Sequence, residues 1–255
     1  MDTLFLLLSP SQLVAAFAVA LVAGVIKGMV GFGMPMILIS GLSMFLSPEL
    51  ALAGLIIATV ATNGLQALRQ GWRAAWGSIK RFRVFLLVGL VFLLSSAQMV
   101  RLLSPQTFLL ILGIPITFFA CLQLFGVRFH LSKPSVRVEA GVGAFAGFIG
   151  GLSGVWGPPT VAYLTALDTP KNEHVRVQGV IYGLGAVALL FAHTGSGVLR
   201  AETLLLSLAL LPPALVGMWA GVRWHDRIDQ ATFKKATLVI LAVAGLNLIR
   251  RGVFG

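Results

Sequence analysis

Two stretches of this chain, 11–46 and 138–167, are apolar almost throughout and far too long for one membrane crossing. A spanning helix needs roughly 20 residues. Each stretch is punctuated by glycines and then a proline. Six further apolar runs, 50–68, 84–101, 105–125, 177–193, 202–222 and 232–249, have close to spanning length. Charged residues make up only 11% of the chain, against roughly 25% in soluble domains. Too few charges remain to cover a water-facing surface, so lipid is the solvent. In lipid the backbone must satisfy its own hydrogen bonds, which leaves helices or closed barrels. Runs of this length select helices, and the fold class is an all-α polytopic membrane protein.

The two long stretches repeat one pattern. Gly24, Gly28, Gly31 and Pro35 give G-x3-G-x2-G-x3-P, and Gly147, Gly151, Gly154 and Pro158 give it again, displaced by 123 residues throughout. Glycine is abundant, but four matches at one offset predict a duplicated unit, with repeats over 1–127 and 128–255.

A net charge of +11 suggests nucleic acid in a soluble protein. Here the basic residues lie in short loops between apolar runs, so they report topology, through retention of Lys and Arg on the cytoplasmic side. The partner implied is a bilayer, and no nucleic acid is expected. If both long stretches are hairpins, entering and returning, the loops 69–83, 126–137 and 222–235 share a side with Lys171 and Arg176. That side then carries 14 basic residues and the other four, Arg101, Arg200, Arg250 and Arg251, with Lys27 inside the membrane region. An odd number of passes per half makes the second repeat inverted relative to the first. Each repeat is expected to open with a broken, re-entrant or hairpin helix followed by three spanning helices, both termini facing outward. The opening residues, charged only at Asp2, lack the basic start of a signal peptide, so the first segment is expected to stay in the membrane. The single cysteine, Cys121, offers no internal disulfide and no metal site, and no cofactor is implied.

Glycine permits backbone that other residues resist, and proline removes a donor and ends a helix. The sequence therefore predicts unwinding at Gly28–Pro35 and Gly151–Pro159. Broken helices at membrane depth line cavities, and helix N-termini suit anions. One such motif alone reads as close helix packing of the G-x-x-x-G type. The symmetric pair with prolines reads as a binding site in an inverted-repeat transporter.

The segment Gly24-Val-Ile-Lys-Gly-Met-Val-Gly-Phe-Gly-Met-Pro35, its echo Gly147-Phe-Ile-Gly-Gly-Leu-Ser-Gly-Val-Trp-Gly-Pro158 and the spacing of the apolar runs resemble the TauE/SafE family of sulfite exporters and related permeases. The resemblance spans nearly the whole chain. It implies a plasma-membrane carrier for small sulfur-containing or organic anions, often proton-coupled or potential-driven. Lys27 departs from it, since a small or neutral residue is expected there; Gly150 holds the equivalent place in the second half.

Thr59, Asn63 and Gln66 lie on one helix face, with Thr62 beside them, and Gln178 and Tyr182 are four apart in the corresponding helix of the second half. Interhelical bonding explains such residues without a ligand. Asn63 and Gln178 are the stronger candidates for substrate because their amide NH2 groups can donate to an anion. His193 is read as structural rather than as a proton site. The candidate substrate site comprises Lys27, Gly28, Gly31, Phe32, Gly33, Pro35, Asn63, Gly151, Ser153, Gly154, Trp156, Pro158, Gln178 and Tyr182. Two other classes compete. An anion channel can share this architecture and differs in lacking saturable, gradient-dependent flux. Gly151-Leu-Ser-Gly154 with His193 matches the Ser–His pair of rhomboid-type intramembrane proteases, but the repeat accounts for these glycines without catalysis, and Val30 holds the place of Ser153 in the first half. The sequence favours a non-enzymatic secondary transporter working by alternating access.

Overall fold

The computed structural model describes residues 8–99, 104–127, 131, 135–153, 156–195 and 197–254. Within them lie eleven helices: α1 Pro10–Val30, α2 Met34–Leu42, α3 Pro48–Leu68, α4 Trp72–Arg81, α5 Arg83–Ala97, α6 Pro105–Leu124, α7 Val136–Ser153, α8 Gly157–Ala166, α9 Lys171–Gly195, α10 Ala201–Arg227 and α11 Gln230–Phe254. No strand occurs among the described residues. Five stretches, Pro10–Val30, Glu49–Leu68, Lys171–Gly195, Ala201–Arg227 and Ala231–Phe254, are long and apolar enough to cross a membrane. The chain is an all-α polytopic membrane protein.

Serine followed by proline starts three helices. Ser9, Ser47 and Ser104 accept from the backbone N–H of Gln12, Leu50 and Thr107 at 3.2–3.3 Å. The serine oxygen satisfies an orphan donor, and the proline loses nothing because its missing N–H lies in the first turn.

Both overlong stretches fold as antiparallel helix pairs. In the first, Ile26 lies against Gly33 and Val19 against Gly41, and the Gln12 Nε2 donates to the Phe45 carbonyl at 3.2 Å. In the second, Gly150 lies against Trp156, and the Leu131 N–H donates to the Ala166 carbonyl at 2.8 Å. The returning arms are short. Nine residues in α2 and ten in α8 rise about 14–15 Å at 1.5 Å per residue, about half the hydrocarbon thickness of about 30 Å.

Small residues determine which helices meet. α1 runs parallel to α10, with Gly24 and Gly28 set against the Ala214 and Met218 carbonyls, and Gly217 and Gly221 against those of Leu21 and Val25. A Cβ at any of the four would collide with backbone. α7 runs parallel to α5 in the same way through Gly143, Gly147 and Gly151. Lipid tails give apolar helices no reason to separate from lipid, so close van der Waals approach is what holds such pairs. α3 crosses α9 antiparallel, and α6 pairs with α11. Gly24, Gly28, Gly147 and Gly151 thus remain helical: against the unwinding expected from Gly28 and from Gly151, α1 continues to Val30 and α7 to Ser153. Helix–helix contact, rather than chain reversal, occupies the first two glycines of each motif.

Polar links gather at the two ends of the bundle. At one end Arg69 pairs with Asp226 at 2.7 Å and Arg81 with Glu173 at 2.5 Å, and the Lys171 ammonium donates to the His225 and Ile228 carbonyls at 3.1 and 2.6 Å. At the other, Arg200 pairs with Glu49 at 3.2 Å, and Arg251 donates to the Ser40 and Ser43 carbonyls at 3.1 Å. Glu139, buried in α7, accepts from the Phe85 N–H at 3.0 Å and so caps the first turn of α5. The segment 69–83, read from sequence as a polar connection, contains α4. This helix buries Ala75 and Ser78 and exposes Trp72 and Trp76. Arg73 lies over the Trp72 ring and Lys80 over the Trp76 ring, each 5.8 Å from the centroid.

Candidate functional site

The first hairpin turns where two glycines adopt left-handed backbone. Gly31 has φ 84° and closes α1, its N–H reaching the Lys27 carbonyl at 2.8 Å; Gly33 has φ 89° and opens α2, with Pro35 in the first turn. A side chain at either position would be strained. The second hairpin opens its return helix α8 at Trp156, followed by Pro158 and Pro159.

The two turns approach each other. Lys27, Phe32, Gly33, Pro35, Met36, Asn63, Trp156, Gly157 and Tyr182 enclose a cavity of about 10 Å³, close to the space of one water. The Lys27 ammonium, 1% exposed, donates to Asn63 Oδ1 and to the Gly31 carbonyl at 3.3 Å. It also lies 5.5 Å from the centre of the Tyr182 ring, a favourable cation–π contact. Among the described residues it has no carboxylate partner. Tyr182 bridges the hairpins, since its hydroxyl donates to the Gly157 carbonyl at 3.1 Å. Gln66 holds the first turn, its amide donating to the Gly31 carbonyl at 3.0 Å and to that of Val175 at 2.5 Å.

Of the residues singled out in the sequence, Lys27, Phe32, Gly33, Pro35, Asn63, Trp156 and Tyr182 line this cavity. Gly31 borders it through its carbonyl. Gln178 packs against Gly31, fully buried, and neither polar atom of its amide has a hydrogen-bond partner among the described residues. Gly28 and Gly151 face neighbouring helices, and Pro158 faces an apolar groove beside α6 and α7. Ser153 ends α7, and Gly154 lies outside the described residues. Asn63 meets Lys27 through its oxygen, rather than offering only its NH2 group. Sequence reading missed Met36 and Gly157, which adjoin the motif, and the clamp made by Gln66. That last contact joins residues 35 and 109 positions apart, a distance no local pattern reports.

Held by neutral oxygens and an aromatic face, the Lys27 ammonium has no counter-charge among the described residues. Enclosed between two broken-helix hairpins of a multi-pass bundle, it defines a membrane protein with a buried cationic pocket. The chain belongs to the sulfite exporter TauE/SafE family, whose model matches residues 16–248, and it is a membrane transporter. No curated protein and no solved structure matches it. A transporter family gives the serine-protease reading no support.

Proposed function

We propose that this transporter carries a small anion, sulfite or an organosulfonate of similar size, across the plasma membrane by alternating access, and that it is not an enzyme. The observation that carries this reading is Lys27. A lysine buried within a membrane-spanning helix costs up to about 2.5–3.5 kcal/mol on insertion scales, the full figure applying at the bilayer centre. Such residues normally pair with a counter-charge or face a solute pathway. No carboxylate pairs with Lys27 among the described residues, and an anion supplies what is missing. The amides opening α2 add partial positive charge from the same side. The cavity is too small for the anion as it stands, which favours a carrier closed over its site rather than an open pore.

The proposal includes inverted repeats over 1–127 and 128–255. Exchanging α1 with α7, α2 with α8, α3 with α9, α5 with α10 and α6 with α11 maps the main helix pairings onto one another. The α1–α10 pair becomes α7–α5, while α3–α9 and α6–α11 map onto themselves. α2 and α8 begin 123 residues apart, as do α3 and α9. The basic end is assigned to the cytoplasm and both termini to the outside, with drive from a proton gradient or the membrane potential.

Calorimetric titration of the purified protein with sulfite tests the site. Lys27→Gln is expected to raise Kd at least tenfold, about 1.4 kcal/mol, and Lys27→Arg to retain part of the affinity. Unchanged binding by Lys27→Gln would make Lys27 a structural residue and remove the basis of the anion assignment.

A further inference from the structure

The two halves are not equivalent at their turns, and the differences all run one way. At the offset of 123, Lys27 corresponds to Gly150, Gly33 to Trp156 and Met36 to Pro159. The first change removes the cation. The second fills the space, for the Trp156 ring lies where a side chain on Gly150 would have to go, and a Cβ there would run into it. The third removes a backbone N–H from the first turn of α8, where Pro158 and Pro159 stand together, whereas the first turn of α2 has Pro35 alone. Lysine with glycine on one side and glycine with tryptophan on the other fill the same kind of space, and only the first pair brings a cation.

Trp156 is 5% exposed, and its ring stands 6.3 Å from that of Tyr182. The Lys27 ammonium lies 5.5 Å from the centre of the same Tyr182 ring. Gly185 comes within 3.0 Å of the indole when a Cβ is placed on it, so α9 backs the ring closely. Trp156 is therefore a rigid wall of the Lys27 cavity.

We infer that the chain has one anion site, its cation supplied by the first hairpin alone, and that Trp156 both occupies the counterpart position in the second half and, as a wall of the Lys27 cavity, sets the upper size of the anion. This rests on the transport reading above and deepens it. When the site opens to admit an anion, the indole wall limits the length of its substituent, so a compact oxyanion is favoured over longer alkyl sulfonates.

The test is calorimetry in lipid nanodiscs with sulfite and with methane-, ethane- and propanesulfonate. The expected stoichiometry is one anion per chain, with affinity falling as the alkyl group lengthens. Trp156→Ala should improve propanesulfonate relative to sulfite at least tenfold with the stoichiometry still one. Trp156→Phe, a milder change, should give an intermediate profile. The other four tryptophans, Trp72, Trp76, Trp219 and Trp224, are each at least 50% exposed. A variant with these four changed to Phe isolates Trp156 emission, which should shift on sulfite addition with the calorimetric Kd. Two anions per chain would overturn this inference and leave the transport reading standing, as would a wild-type size profile in both Trp156 variants. Absence of binding by all four anions, or unaltered binding by Lys27→Gln, would overturn the transport reading and this inference with it.

Discussion

Lys27 and Gln178 show how a buried polar group exposes its purpose through its partners. Lys27 is held by two neutral oxygens and a ring, which positions the charge without cancelling it. Gln178 is fully buried with its amide unpaired among the described residues. Burying an amide without partners costs about 1–3 kcal/mol by mutational measures, a cost that structure alone does not offset. Gln178→Leu is therefore expected to leave the melting temperature unchanged or raised, and to weaken sulfite binding. A lowered melting temperature with intact binding would mark Gln178 as structural. Gly33 makes the opposite kind of prediction. Its φ of 89° costs an alanine about 1–2 kcal/mol, so Gly33→Ala should lower the melting temperature measurably. Lys27 was legible in the sequence because a charge inside an apolar stretch stands out. Its bond to Asn63 was not, because the two lie 36 residues apart on different helices.

At the scale of elements, the sequence disclosed the hairpins more fully than the helices. Glycine, proline and the distribution of basic residues together favour hairpins in 11–46 and 138–167, and both stretches fold as antiparallel helix pairs. Helix limits were read from apolar runs alone, so α9 begins six residues before the run at 177 and α10 continues past 222. Their polar ends, Lys171–Arg176 and Arg223–Arg227, lie outside the apolar runs. α4 escaped notice because ten residues are too few to span, and its signal is amphipathic. Its exposed Trp72 and Trp76 beside Arg73 and Lys80 suit a membrane–water interface. In a chain retaining only these two tryptophans, doxyl groups high on the acyl chain should quench emission more than groups near its end. Helix crossing gives a stronger prediction. Gly147 meets the Gly89 carbonyl, and overpacking of this kind costs about 1–3 kcal/mol or more. Gly147→Leu should separate α5 from α7 and lower detergent-state stability, whereas leucine at exposed Gly77, with open space around it, should not.

For the whole molecule, the two turns are unequal within the proposed internal duplication. The proposed duplication rests in the sequence on a single offset in four residues. The inequality was visible only in part. Lys27 against Gly150 can be read from the sequence, but the way Trp156 fills the space beside Gly150 is a fact of packing. Orientation is tested by labelling intact cells with an impermeant thiol reagent in a Cys121→Ala background. Cysteines at Ser9 and Glu202 should react, and those at Gly77 and Asp229 should not; reaction at all four would refute the proposed inverted arrangement. The central claim, a carrier built around Lys27, is tested most directly by counterflow. Proteoliposomes loaded with unlabelled sulfite should take up labelled sulfite faster than empty ones, with saturation, and Lys27→Gln should abolish the acceleration. Uptake that rises linearly with concentration, gains nothing from internal sulfite and survives Lys27→Gln would contradict the account.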